Sequence, residues 1–472
     1  MELDAFLAGI TGQGVVETHI SKVFLGVTEA LKMKKAVALG FLDFSALDDR
    51  ERLLRRELEL NAPHAPGLYL DVVPVTRGAQ GLALGGEGVV VEWVLRMARL
   101  PADAFLDVCA PLEGTGLDAL ADSVVALHEA APLRRAGDPA TVLRGNVEAA
   151  LSAGLPARAV RHWADLAEAR RAVLAPWLAG RSAFQRRCHG DLHLGNLCLM
   201  NGRPVPFDAL EFDEDLASID TGYDLAFLLM DLDQRWGRPA ANRVMNRYIA
   251  RSGDVAMLRG MPLWFSLRAM IRAHVTASRG QDGAPLLAAA VAYLAPVPPR
   301  LIAIGGLQGT GKSTLARALA PGLGPAPGAL VLRSDEVRKR RAGVAPETPL
   351  PGTRYSTAES DAVFAQVRHD AMSALAAGQA VIADAVFLRP AEREAIAALD
   401  PSFVGLWLDA PLPLLRARIA ARAGDASDAT TTVLDATAAH EPGHIAWSRI
   451  DAVSDAEAAA RKTLDVPGPA SP

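Results

Sequence analysis

The residues with the clearest chemical purpose lie between Gly306 and Ser313, where GLQGTGKS fits the pattern G-x-x-x-x-G-K-[ST]. Its glycines let backbone amides curl around phosphate oxygens, and the helix that follows turns its positive end toward the same anion. We expect Lys312 to reach the terminal phosphates and Ser313 to place its hydroxyl on Mg²⁺. The alternative is a strand-to-helix turn that binds nothing. The predicted nucleotide-binding residues are Gly306, Gln308, Gly309, Thr310, Gly311, Lys312, Ser313 and Thr314.

Two carboxylates follow the next strand-like segments. Asp335 comes after the apolar run 329–332, where it can accept a proton from an attacking hydroxyl. Arg338, one helical turn later, can clamp the phosphoryl group or the substrate. Asp384 ends the buried run VIAD and is expected to hold Mg²⁺ or a water molecule. The alternatives are helix capping for both aspartates and a solvated partner for the arginine.

Arginines precede a polar loop near the C-terminus, at residues 424–428. Arg418 and Arg422 share a helical face at four-residue spacing, which suits a lid that closes on the phosphates and excludes water. Ordinary surface arginines are the alternative.

The segments GLQGTGKST, LRSDEVRK, VIADAVFLRPAER and ARAGDASDA resemble small P-loop kinases of the gluconate kinase, polynucleotide 5′-kinase and zeta-toxin-like group. The resemblance covers about residues 300–466. It implies that Asp335 is the general base, that Arg418 or Arg422 acts at the leaving phosphate, and that ATP and Mg²⁺ are the cofactors.

A second constellation lies upstream, in HGDLHLGN at residues 189–196. The spacing from Asp191 to Asn196 is that of the protein-kinase catalytic loop, in which the aspartate deprotonates the acceptor hydroxyl and the asparagine binds Mg²⁺. The following LCLMNGRPVPFD reads as a hairpin with an Asn-Gly turn, which returns Asp208 to Asn196 as a second metal ligand.

A lysine and a glutamate nearer the N-terminus complete this second site. Lys32, in the strand-like LKMKK, is expected to pair with the α- and β-phosphates and to be held by Glu57 of the helical RRELEL. Lys34 and Lys35 are competitors for this role. The alternative is a half-exposed strand lysine and a solvated glutamate.

HGDLHLGNLCL, FDALEF and YDLAF look like the aminoglycoside phosphotransferase branch of the protein-kinase-like fold. The whole chain resembles bacterial two-domain proteins that join such a domain to a P-loop kinase-like domain. The resemblance implies that Asp191 is the base, that Asn196 and Asp208 bind Mg²⁺, and that Asp224 is a structural anchor. Ala209 and Leu210 depart from the usual glycine context after the metal aspartate.

These sites require two kinds of scaffold. Three prolines in YLAPVPPR, at residues 293–300, mark a boundary, after which strand-like and helical segments alternate as in a parallel sheet flanked by helices. We predict an α/β P-loop NTPase domain over residues 296–472. The preceding residues 1–295 are predicted to form an α+β, bilobal, protein-kinase-like domain, with a β-rich lobe to about residue 95 and a helical lobe from about residue 96.

The composition limits the kinds of partner that this protein is expected to bind. The formal net charge of −5 argues against a large basic surface for nucleic acid, and no apolar run is long enough to span a bilayer. A cytoplasmic enzyme acting on a small hydroxylated molecule is therefore expected, with no membrane partner. Two other hypotheses stay open: a regulator in which one domain binds ATP without turnover and gates the other, and a polynucleotide 5′-hydroxyl kinase.

Overall fold

The computed structural model describes residues 2–39, 42–422 and 424–466. Its chain divides into two compact units. The first contains the described residues of Met1–Leu112, Ala126–Gly137 and Arg181–Leu228, and the second contains those of Glu113–Val125, Asp138–Gly180 and Leu229–Pro472. The second unit thus takes in residues on both sides of position 295, and the two-domain division of the sequence stays a prediction. Among the described residues, none of the helices combines the length and apolarity needed to cross a bilayer.

The strands are β1 (Val15–Glu17), β2 (Ser21–Leu25), β3 (Glu29–Lys34), β4 (Ala38–Leu39), β5 (Leu42–Asp43), β6 (Tyr69–Gly78), β7 (Gly81–Leu84), β8 (Val89–Ala98), β9 (Gln185–Arg187), β10 (Leu197–Met200), β11 (Arg203–Pro206), β12 (Ser218–Asp220), β13 (Leu301–Gly306), β14 (Leu330–Arg333), β15 (Val381–Asp384), β16 (Val404–Asp409) and β17 (Ser448–Asp451).

The helices are α1 (Glu2–Thr11), α2 (Leu47–Asn61), α3 (Thr115–Ala130), α4 (Pro139–Ser152), α5 (Ala157–Ala179), α6 (Glu214–Ala217), α7 (Thr221–Arg235), α8 (Arg238–Ser252), α9 (Met261–Ser278), α10 (Ala284–Ala292), α11 (Lys312–Leu319), α12 (Ser334–Arg341), α13 (Thr357–Ala376), α14 (Pro390–Ala397), α15 (Leu412–Ala420), α16 (Thr431–Ala438) and α17 (Ala456–Leu464).

The first unit is built on an antiparallel six-stranded sheet, in the order β1-β2-β3-β8-β6-β7, with α2 packed against it. The buried residues of α2 include Leu53, Leu54, Glu57 and Asn61, which recur at helical spacing and so share one face. This periodicity turns Glu57 inward, although its neighbours Arg55 and Glu59 are exposed. The hairpin β10–β11 forms around Asn201 and Gly202, which both have positive φ, as its sequence predicts.

The second unit contains a parallel five-stranded sheet, in the order β14-β15-β13-β16-β17. The strands β13, β14 and β15 are buried along their whole length, as expected for a sheet covered by helices on both faces. This confirms the predicted α/β fold class. The fifth strand, β17, was not predicted, because its sequence SRID is short and mostly polar. In the structure this strand is mostly exposed.

Side chains of α8 form hydrogen bonds with backbone groups of the edge strand β14 and of the residue before it. Asn246 Oδ1 accepts a hydrogen bond from the backbone N–H of Val331 at 2.7 Å. The amide nitrogens of Asn242 and Asn246 donate to the carbonyl of Ala329 at 3.0 and 3.2 Å. Edge strands leave such groups unpaired, so α8 closes this edge of the sheet.

Candidate active sites

The phosphate-loop pattern lies at the carboxyl end of β13, the central strand of the parallel sheet, where ligands of α/β sheets bind. Gly306, Gly309 and Gly311 all have positive φ, from 83° to 136°. A Cβ at Gly306 would lie 2.5 Å from the carbonyl oxygen of Leu408, whereas one at Gly311 would meet no atom within 4 Å. The first glycine is therefore required by packing, and the last leaves open space for a ligand.

Two polar side chains of this loop have defined partners. The Lys312 ammonium donates to the carbonyl of Leu307 at 3.0 Å. Burial lowers the pKa of Lys312, although Asp384 and Asp335 act in the opposite direction. Ser313 Oγ donates to a carboxylate oxygen of Asp384 at 2.5 Å. A hydroxyl and a carboxylate oxygen thus meet beside the loop, and this pair of oxygens suits Mg²⁺.

A cavity of about 540 Å³ opens over the loop. It brings together most of the predicted residues of the C-terminal site, while Gly306 and Arg338 lie outside its lining. The predicted residues that line it are Gln308, Gly309, Thr310, Gly311, Lys312, Ser313, Thr314, Asp335, Asp384, Arg418 and Arg422.

Asp335 lies in the first turn of α12, at the rim of this cavity. The residue at the N-cap position is Arg333, so Asp335 does not have the capping role that was its alternative. Burial raises the pKa of Asp335, the Asp384 charge adds to this, and Arg333, Ser427 and Lys312 oppose it. A carboxylate with a raised pKa is a better proton acceptor, which suits a general base.

Arg333 is a site residue that the sequence analysis missed. Arg333 is 4% exposed, and its guanidinium donates to Asp425 at 2.6 Å, to Glu336 at 2.8 Å and to Ser313 Oγ at 3.1 Å. It therefore ties the polar loop 424–428 to the phosphate loop. The available signal was an arginine at the end of an otherwise apolar buried strand, since a charge there needs partners.

The two arginines predicted for a lid occupy different positions. Arg418 donates to the carbonyls of Gly309, at 3.4 Å, and Ala452, at 3.0 Å. Arg422 donates to the carbonyl of Ala429 at 2.8 Å. Both side chains line the cavity, but neither is paired there with a carboxylate among the described residues.

In the first unit, lysines and carboxylates form a buried network. Lys32 lies 2.6 Å from Glu57 and 2.5 Å from Asp208. Lys34 lies 2.8 Å from the other oxygen of Glu57 and 2.5 Å from Glu211. Both lysines point the same way because they are two residues apart on β3. Lys35, the remaining competitor, pairs instead with the exposed Glu17 at 2.8 Å.

Opposing effects set the ionisation of this network. Burial disfavours the charge of Lys32, but Asp208 and Glu57 outweigh it and raise the pKa of Lys32 well above its usual range. Burial likewise disfavours the Asp208 carboxylate, but Lys32 and Lys34 keep the pKa of Asp208 below its usual value. Asp208 is thus held as an anion, the form that binds Mg²⁺.

The predicted catalytic loop places Asp191 against Asn196. The Asn196 amide nitrogen donates to Asp191 Oδ2 at 3.0 Å and to its carbonyl at 2.9 Å, which leaves the amide oxygen to face a metal. His193 Nδ1 accepts from the backbone N–H of Gly195, so its proton lies on Nε2, 3.5 Å from Asp191 Oδ2. Asp191 itself is half-buried and accessible.

Two buried groups hold this loop in place. Asp224 accepts hydrogen bonds from the backbone N–H groups of His189 and Gly190 at 3.0 and 2.9 Å. His189 Nε2 donates to the carbonyl of Phe207, which links the loop to the end of the hairpin. The next residue, Asp208, has φ +59°, a conformation that is rare outside glycine. The structure thus brings together Lys32, Glu57, Asp191, Asn196 and Asp208.

Glu211 and His193 were also missed in the sequence. Glu211 follows Asp208 by three residues and His193 follows Asp191 by two, so each lies within a segment already singled out. Two features of the sequence could have identified them: the acidic residue of FDALEF for Glu211, and the second histidine of HGDLH for His193.

Models of two known families match the parts of the chain that contain these residues. A model of the phosphotransferase enzyme family matches residues 46–264, and a model of an AAA domain matches residues 301–442. The fold and the sites therefore define a chain in which an aminoglycoside-phosphotransferase-like domain precedes a P-loop kinase-like domain. An uncharacterized protein of Mycobacterium tuberculosis is 32% identical over 477 residues, with 94% of this chain and 93% of that protein covered. The chain belongs to the family of that protein.

Solved structures cover one part of the chain or the other. A sugar kinase from Janibacter sp. HTCC2649 is 21% identical and covers 36% of this chain and 96% of its own, with a TM-score of 0.29. A choline/ethanolamine kinase family protein from Mesorhizobium loti is 13% identical and covers 62% and 94%, with a TM-score of 0.39. Because the sequence identities and TM-scores are this low, these similarities give no information about the substrate of this chain.

Proposed function

We propose that this chain is an ATP-dependent phosphotransferase with two nucleotide sites, each of which transfers a γ-phosphoryl group to a hydroxyl of a small molecule. The observation that carries the proposal is that each compact unit holds its own complete set of groups. Each set contains a lysine for the phosphates, two oxygen ligands suited to Mg²⁺ and a carboxylate placed to accept a proton.

At the site of the first unit, Asp191 is the base. Its accessible carboxylate takes the proton of the acceptor hydroxyl as the oxygen attacks the γ-phosphorus, and the bond from that phosphorus to the β,γ-bridging oxygen breaks. Lys32 moves from Asp208 to the phosphates when nucleotide binds, while Glu57 keeps its position through Lys34. Asn196 and Asp208 would hold Mg²⁺, which spreads the charge that develops on the phosphoryl group.

At the site of the second unit, the amides of the phosphate loop and Lys312 bind the triphosphate. Asp335 accepts the proton of the acceptor hydroxyl, and ADP leaves as the same bond between phosphorus and bridging oxygen breaks. Ser313 and Asp384 would hold Mg²⁺. Arg418 and Arg422, which line the cavity, are proposed to act on the phosphates and to exclude water when the loop 424–428 closes.

The proposal is tested by Mg²⁺-dependent ATP consumption of the whole chain and of Asp191→Ala, Asp335→Ala and Lys312→Ala variants. We expect Asp191→Ala to remove the contribution of one site and the other two substitutions to remove that of the second, each by more than about 100-fold. Unchanged turnover in all three variants would refute both site assignments.

The other two hypotheses correspond to other outcomes. Stoichiometric MgATP binding without turnover at one site would favour a regulator, in which that site gates the other. Tight, salt-sensitive binding of a 5′-hydroxyl oligonucleotide would favour a polynucleotide kinase, because phosphate contacts release counterions. The net charge of −5 argues against that outcome.

A further inference from the structure

We infer that Arg333 competes with Mg²⁺ for the oxygens of Ser313 and Asp384, and that Asp425 controls this competition by drawing the guanidinium toward the loop 424–428. Arg333 is then a positioning residue, which links metal binding at the P-loop site to that loop. The inference rests on the proposed binding of Mg²⁺ by Ser313 and Asp384, and it adds the residues that control this binding.

Arg333 contacts both of the oxygens that are proposed to bind Mg²⁺. Its Nε donates to Ser313 Oγ at 3.1 Å and lies 3.5 Å from Asp384 Oδ2. The two oxygens are joined to each other, since Ser313 Oγ donates to Asp384 Oδ2 at 2.5 Å. Adjacent oxygen ligands of an octahedral Mg²⁺, each about 2.1 Å from the ion, lie about 3 Å apart. The guanidinium therefore lies against a pair of oxygens whose spacing is close to that of magnesium ligands.

Two cations cannot share these oxygens without repelling each other. The guanidinium is permanently charged, and both Arg333 and Asp384 are buried, so water screens their surroundings only weakly. Burial disfavours the charge of Arg333, but Glu336, Asp384 and Asp425 outweigh it and raise the pKa of Arg333. Asp384 thus compensates part of the Arg333 charge. A metal ion that takes this carboxylate oxygen requires Arg333 to find that compensation elsewhere.

The other two nitrogens of the guanidinium have carboxylate partners of their own. Nη2 donates to Asp425 at 2.6 Å and Nη1 to Glu336 at 2.8 Å. These contacts keep the charge of Arg333 compensated when its Nε leaves Ser313 and Asp384. Glu336 is only three residues away in the chain, whereas Asp425 comes from the polar loop. Metal binding and the Asp425 contact therefore favour each other, and such a coupling is reciprocal.

The test measures metal binding and does not depend on turnover. The full chain is saturated with a non-hydrolysable ATP analogue and titrated with Mg²⁺, and deuterium exchange of the peptide that contains residues 306–313 is followed by mass spectrometry. The Mg²⁺ concentration that gives half of the metal-dependent protection reports on the P-loop site, because the residues of the other proposed site lie in other peptides. Asp384→Asn, which removes a metal ligand, should abolish the dependence on Mg²⁺.

We expect Asp425→Asn to raise the half-maximal Mg²⁺ concentration by about 5-fold or more, because Arg333 then holds Ser313 and Asp384 more tightly. Arg333→Met should lower this concentration, because it removes the competing charge. In the Arg333→Met background, adding Asp425→Asn should change the concentration by less than about 2-fold, since Asp425 acts through Arg333.

The matched control is Asp428→Asn, which removes the same charge from the same loop. The Asp428 carboxylate pairs with Lys339 at 2.5 Å, so this substitution should leave the half-maximal Mg²⁺ concentration unchanged. Arg333→Gln provides a second variant should the methionine variant fold poorly, as judged by thermal unfolding.

An equal effect of Asp425→Asn in the parent and in the Arg333→Met background would show that Asp425 attracts the ion directly, and would overturn the role of Arg333. Parent-like Mg²⁺ dependence in Asp425→Asn, or an equal effect of Asp428→Asn, would also overturn it. Protection that depends on Mg²⁺ as in the parent after Asp384→Asn would instead refute the proposed metal site, and the inference would fail with it.

Discussion

Asn246 and Val331 join two parts of the chain that the sequence suggested were separate domains. The Asn246 side-chain oxygen accepts the backbone N–H of Val331 at 2.7 Å, and so connects α8 to the edge strand β14. Two residues after Val331 comes Arg333, and Asp335 follows in α12. The strand that leads into the P-loop site is therefore held by a helix that precedes residue 295, which is why functional tests should use the whole chain.

Replacing Asn246 with Ala should destabilise this junction. The Val331 N–H would lose its partner, at a cost of about 1–3 kcal/mol in the free energy of unfolding. Urea unfolding of the variant measures the change. Gln234→Ala, which removes a solvent-exposed hydrogen bond from the Gln234 amide to Tyr293, is the control and should change the free energy by less than about 0.5 kcal/mol. Equal stability of the two variants would contradict the prediction.

Two glycines of the phosphate loop should respond differently to alanine. Gly306→Ala forces a Cβ to within 2.5 Å of the Leu408 carbonyl oxygen, so it should lower the melting temperature. Gly311→Ala meets no atom within 4 Å and should cost only about 1–2 kcal/mol for its positive φ. Because its methyl group enters the space for phosphate, Gly311→Ala should weaken MgATP binding, as measured by calorimetry. Normal MgATP affinity in this variant would count against the site.

The pH dependence of stability should change in Asp335→Asn. The pKa of Asp335 is raised by burial, so the folded chain binds this proton more tightly than the unfolded chain. The stabilisation this gives is complete below the unfolded value of about 3.9 and is lost as pH rises through the folded value.

Above that folded pKa the buried ionised carboxylate destabilises the folded state. Asp335→Asn should therefore melt at a higher temperature than the parent. The gain should shrink as pH falls toward about 4. Melting curves from pH 4 to pH 8 test this. A variant less stable than the parent at neutral pH would show that the carboxylate supports the fold. Asp335→Asn should also abolish phosphotransfer by this site, since an amide cannot take the proton.

The paired charges of the first unit should affect the free energy of unfolding jointly rather than independently. Lys34 is 1% exposed and forms ion pairs with both Glu57 and Glu211. Lys34→Met should cost about 3–5 kcal/mol because it leaves a buried carboxylate uncompensated. The double change Lys34→Met and Glu211→Leu should recover most of that loss, since an apolar pair can replace a buried ion pair. Chemical denaturation of the three proteins measures this. A double variant no more stable than the single one would rule out the coupling.

The sequence alone determined the parts of this protein whose chemistry is local. A phosphate loop needs glycines at fixed places between a strand and a helix, and GLQGTGKS meets that need within eight residues. The hairpin that brings Asp208 to Asn196 was also predictable, because an Asn-Gly turn has a narrow choice of geometry. Apolar strand-like runs alternating with helices indicated the parallel sheet for the same reason.

Only the tertiary structure decided which distant charges meet. Arg333 pairs with Asp425, which lies 92 residues away in the sequence, and Lys34 pairs with Glu211, which lies 177 residues away. Spacing in the sequence carries no information about such pairs, because they depend on how strands and helices pack. The same holds for the contact of Asn246 with β14. A buried charge is recognisable as paired or unpaired only when all its neighbours are in place.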